Sequence, residues 1–119
     1  MSNSTSDSRE PQSPEVEMHD IADLPAVEVI GRYAVDLLTV AAVQCGLAED
    51  GRKGDLDEAR KLINALAGLL TAAAPDLGDH HARPLRDGLR SLQLAFREAS
   101  AIKDAPGQGP GEKYTGPVN

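Results

Sequence analysis

The residue types best suited to chemistry in this chain lie close together, at Asp76, Asp79, His80 and His81. Carboxylates and imidazoles ligate zinc and exchange protons in acid–base catalysis. Adjacent histidines on a helix point about 100° apart, however, and do not close on one ion without help from a loop. No Cys, Glu-x-x-His or His-x-x-x-His spacing accompanies them, and His19 sits far upstream in the acidic N-terminal tail. The plainer reading makes Asp79 a helix cap and leaves the histidines exposed in the first turn. Ser, His and Asp all occur, but nothing resembles a nucleophile elbow, and no Gly-rich loop follows a strand. The sequence therefore predicts a non-enzyme with no catalytic residue, metal or cofactor.

Two other sets of residues suit recognition. Arg83, Arg86, Arg90 and Arg97 are spaced 3, 4 and 7 apart and line one stripe of a helix. Such a stripe can contact ribosomal RNA phosphates or an acidic protein. It can equally flank a helix–helix seam, covering it with its stems and pairing with acids such as Asp57 or Glu58. No aromatic residue interleaves the arginines, which weakens a single-strand RNA reading. The second set is Lys113 and Tyr114 in the ending GPGEKYTGPVN. A lone aromatic between a lysine and a Thr-Gly-Pro turn suits anchoring in a groove with an extended backbone. The alternative is a solvated tail.

The elements that hold these residues are expected to be helical. Of 119 residues, 40% are apolar, chiefly 17 Ala and 14 Leu, with Tyr33, Phe96 and Tyr114 the only aromatics. That composition lacks the β-branched and aromatic residues a sandwich or barrel needs. One cysteine, Cys45, excludes a disulfide scaffold and fits a reducing cytoplasm. The net charge of −7 disfavours general nucleic-acid binding. Residues 1–20 hold five acids against Arg9 and are expected to be disordered. They carry no secretory signal pattern. Residues 106–119 hold four Gly and three Pro, which predicts an extended tail. Between them, three helices are expected over about 24–45, 55–74 and 80–101. The first follows an N-cap at Asp23 and ends before Gly46. The second opens on a capping box, Asp55 and Glu58, and stops at Pro75. The third tolerates Pro84 about one turn in.

Periodicity predicts the packing. Leu56, Ala59, Ile63, Leu66, Leu70 and Ala73 repeat at heptad spacing, as do Leu85, Leu89, Leu92, Phe96 and Ala99. Short connections then give a three-helix antiparallel bundle. Helix one differs. Glu28, Arg32, Asp36 and Thr39 fill one narrow sector, and most of the remaining circumference is apolar or small. Its span of 26–47 is long enough to cross a bilayer, but the charges oppose insertion. More apolar surface is present than two partner helices can cover. The expectation is a homo-oligomer, most simply a two-fold dimer, through the small-residue flank Gly31, Ala34, Leu38, Ala41 and Cys45.

The runs DIADLPAVEVIGRYAVDLLTVAAVQCGLAED, DLDEARKLINALAGLLTAAAP, HARPLRDGLRSLQLAFREAS and GPGEKYTGPVN together resemble a small bacterial family, domain-of-unknown-function family 1844. The likeness is to its actinobacterial branch and covers roughly residues 20–119. It implies a standalone helical cytoplasmic protein and supplies no activity, cofactor or catalytic residue. Some members are encoded near a translation initiation factor and ribosomal proteins, an associational link only. The first functional expectation is a self-associating helical interaction module whose tail engages an unidentified protein partner or the bundle. The alternative is a ribosome-associated factor using the arginine stripe.

Overall fold

The computed structural model describes residues 21–119. The expected disorder of residues 1–20 lies outside the described residues. Among those described, the fold is helical, without a strand. Its helices are α1 (Ala26–Gln44), α2 (Leu56–Leu77), α3 (Asp79–Ala99) and the short α4 (Glu112–Thr115). The three long helices pack on one another pairwise, and α4 packs on α2.

Local chemistry explains most boundaries. At the start of α1 the Pro25 carbonyl accepts from the Glu28 and Val29 amides, at 3.0 and 3.2 Å. No side chain caps this end, so Asp23 does not have the expected role. At the other end Gly46 adopts φ 88°. Its amide donates to Val43 O and the Leu47 amide to Ala42 O, both at 3.0 Å. This paired reversal satisfies carbonyls that α1 would otherwise leave open. The following loop folds back so closely that a Cβ on Gly54 would collide with the Gln44 carbonyl.

Helix α2 begins at Asp55, whose side chain accepts from the Asp57 and Glu58 amides. Only half of the expected capping box forms. The Asp55 amide donates to Gln44 Oε1 at 2.9 Å, while Glu58 turns outward to Lys61 at 2.6 Å. Pro75 does not stop this helix as expected; it lies inside it. The missing N–H removes one ladder bond. Leu77, buried one turn beyond Ala73, holds the last turn against the core. The break comes at Gly78, at φ 78°, where a residue with a side chain would be strained. Gly78 occupies both the end of α2 and the start of α3. Asp79 is thus the first residue of α3 and does not cap it.

The core is built from small and medium apolar side chains. Ala34 and Ala41 of α1 are fully buried against Ala59, Ile63, Leu66, Ala67 and Leu70 of α2 and Leu85, Leu89, Leu92 and Phe96 of α3. Alanine at helix contacts lets neighbouring helices approach closely. Both heptad rows face inward, except that Ala99 at the end of α3 is exposed. Ile63 and Leu66 are the largest side chains with no solvent contact. Leu66→Ala is expected to destabilise the fold by about 3 kcal/mol through lost burial and a residual cavity. Urea unfolding followed by circular dichroism measures it. A loss below about 1 kcal/mol would contradict this packing.

Candidate functional site

After α3 the chain reverses and returns across the seam between α2 and α3. The Arg60 guanidinium on α2 organises the reversal. It pairs with Asp104 at 3.0 Å and lies over the Phe96 ring, 4.9 Å from its centroid. Arg97 donates to Asp104 O at 3.2 Å from the other side. A salt bridge this exposed contributes little by its charge alone. Its value here is positional, because both arginines fix the point from which the strap runs back.

The strap then docks by polar contacts of defined geometry. The Gly111 amide donates to Asn64 Oδ1 at 2.7 Å. The Gln93 Nε2 donates to Pro110 O and to Thr115 Oγ1, each at 3.0 Å. Gln93 is buried on the apolar face of α3, where an unpaired amide would be costly. Pro110 answers it with a carbonyl and brings no N–H of its own to satisfy. Gly111 is required twice. It adopts φ 75°, and a Cβ there would lie 3.0 Å from both Ala67 Cβ and Gln93 Nε2.

The strap is also braced internally. Glu112 is buried, and its carboxylate accepts from the Gly109 amide at 3.1 Å and the Val118 amide at 3.2 Å. Charge-assisted bonds of this kind hold the two ends of the α4 turn together. Val118 buries its side chain, and the Tyr114 ring lies across Gly68 of α2. A Cβ on Gly68 would come within 3.2 Å of the Tyr114 phenol carbon and oxygen. Lys113 stands over the outer side of that ring, 5.1 Å from its centroid. The tail is therefore not simply extended: α4 makes one helical turn within it.

The arginine stripe divides in use. Arg97 is tied to the strap, and Arg90 reaches Asn119 O at 3.4 Å. Arg83 and Arg86 are exposed and make no ion pair with a described residue. None of the four pairs with Asp57 or Glu58: the acidic start of α2 lies by the end of α3, away from Arg83, Arg86 and Arg90, and Arg97 at that end donates to Asp104 O instead.

The flank assigned to self-association is corrected more sharply. Ala34, Ala41 and Cys45 are buried in the chain's own core. Leu38 is half-buried with its methyls against Gly88, and Gly31 is half-buried. Small residues allow any backbone to approach, and here α2 and α3 take that face. The apolar surface left on α1 lies elsewhere. Tyr33 and Val40 are exposed seven residues apart, with Val29 and Leu37 half-buried beside them and Leu47 exposed just beyond the Gly46 turn.

A family model, domain of unknown function DUF1844, matches residues 27–98. The chain belongs to the DUF1844 family. No curated protein and no solved structure matches it. The DUF1844 match runs from α1 almost to the end of α3 and includes the strap's seat at Arg60, Asn64, Gly68 and Gln93.

Sequence reasoning passed over those four seat residues. Two carried a signal. Gly68 interrupts an Ala/Leu helix at a cost near 1 kcal/mol, which marks close approach by another group. Gln93 is a polar residue on the apolar face between Leu89 and Phe96. Arg60 and Asn64 carried none. Asp76, Asp79, His80 and His81 are all exposed. The two imidazoles stack edge-on at 5.3 Å, and no metal-holding group of three such side chains forms among the described residues.

Two outcomes follow. Gly111→Ala adds a left-handed penalty of about 1–2 kcal/mol plus crowding against Ala67. Hydrogen exchange at the Gly116 and Val118 amides should then speed about tenfold or more, with core α2 amides unchanged; unaltered exchange would contradict the seating. Burial pushes the Cys45 thiol up, leaving less thiolate at pH 8 than an ordinary cysteine has. Labelling by a disulfide reagent should be slow in the folded chain and rapid in urea. Equal rates would place Cys45 outside the core.

Proposed function

We propose that this DUF1844 chain is a non-enzymatic helical interaction module that self-associates through the outer face of α1. Its long helices are read as an antiparallel three-helix bundle. In support, Arg60 near the start of α2 meets Phe96 near the end of α3, and Gln44 at the end of α1 meets Asp55 at the start of α2.

The observation that carries self-association is the exposed apolar row. Tyr33 and Val40, 49% and 47% exposed, lie one heptad apart on α1, and Leu47, 57% exposed, follows just beyond its Gly46 turn. Rows at heptad spacing suit side-by-side packing against a like helix. A two-fold partner presenting the same row would cover it. Among the described residues no helix is long and apolar enough to cross a membrane, so the row is read as a protein contact. The strap belongs to the module as a cover over the α2–α3 seam. A ribosomal role has less support, because Arg97 is tied to the strap and Arg90 and Arg86 line a pocket beneath it, so the four arginines do not act as one free stripe.

Light scattering across micromolar concentrations tests the reading. The chain should be dimeric at high micromolar concentration. Tyr33→Lys with Val40→Lys should raise the dimer dissociation constant about 30-fold or more with helix content unchanged. A strict monomer would sink the proposal.

A further inference from the structure

The strap does more than cover the seam. Between it and the helices it leaves a cavity of about 440 Å³. That size falls within the range of small-ligand pockets. Leu70, Leu89 and Val118, each almost fully buried, supply its apolar lining. Arg86 and Arg90 line it from one turn of α3, and Thr71 lines it from the α2 side. Arg86 makes no hydrogen bond or ion pair with a described residue, and Arg90 makes only the long contact to Asn119 O. No carboxylate side chain lines the cavity.

We propose that this cavity binds a small organic anion, a carboxylate on a short hydrocarbon body. The two guanidiniums take the carboxylate, for which their planar donor geometry is suited. The leucines and Val118 take the hydrocarbon. A cation would face the like charges of two lining guanidiniums, and a bare inorganic anion would leave the apolar lining unused. The pocket is independent of the α1 face, so its test is independent of self-association.

Hexanoate is the probe, titrated into the full-length chain and followed by amide chemical shifts. Saturable shifts should appear at Leu70, Leu89, Thr115 and Val118, while α1 amides around Tyr33 stay still. Hexylamine should leave these signals unmoved. Inorganic phosphate should bind more weakly than hexanoate. Arg86→Gln with Arg90→Gln should weaken hexanoate binding about tenfold or more. The same spectra report whether that variant is folded. Arg86→Gln alone, which has no hydrogen bond to a described residue to lose, should weaken binding in the same direction. Absence of shifts at these residues, an equal response to hexylamine, or unchanged affinity in a folded arginine variant would each overturn the proposal. Phosphate binding as tightly as hexanoate would overturn the apolar half of the site and with it the ligand class.

Discussion

The buried amide of Gln93 is the constraint around which the second half of the molecule is arranged. It sits on the apolar face of α3, between Leu89 and Phe96. Once the strap excludes water from that seam, both amide protons need protein acceptors. Pro110 O and Thr115 Oγ1 provide them, and the chain between the two acceptors turns at Gly111. Asn64 holds the same turn from α2 through the Gly111 amide. The short α4, the buried Glu112 carboxylate and the seating of Tyr114 on Gly68 follow from that geometry.

The first half of the molecule obeys a different constraint. Alanines at the contacts of α1 allow close packing but bury little area per residue. Three alanine-rich helices gain by proximity what they lack in side-chain volume, and the cost of misplacing any one of them is shared by the others. Helix α1 remains the least covered. Its inward face is Ala34 and Ala41, continued by Cys45, and its outward face still carries Tyr33 and Val40, with Leu47 exposed just past its end. The strap cannot reach that face, because it is committed to the opposite seam. The two apolar surfaces left by the long helices are thus met in different ways: one by the chain's own C-terminal residues, and one, in our reading, by a second copy.

Much of the helical skeleton was legible from sequence. The heptad rows of α2 and α3 mark their buried faces because a 3, 4 spacing has one geometric solution. Gly46 marks the end of α1 for the same local reason. Pro75 misled, since a proline near a helix end costs one hydrogen bond and the burial of Leu77 outweighs it. The flank of α1 misled for a deeper reason. Small residues permit close approach without saying whose backbone approaches, so cis and trans packing look alike in sequence. The strap was visible as an unusual segment, but its seat was not. Arg60 and Asn64 are ordinary polar residues on α2 until the returning chain gives them partners 44 and 47 residues away. Only Gly68 and Gln93 broke the local pattern enough to signal a contact.

The central claim, that the C-terminal residues are seated on the α2–α3 seam, is tested most directly by nuclear Overhauser contacts in the full-length chain. The account predicts cross-peaks between the Tyr114 ring protons and the Gly68 α-protons, accompanied by a Gly111 amide shifted by its bond to Asn64. Random-coil shifts for residues 107–119 with no contact from the Tyr114 ring to α2 would contradict it.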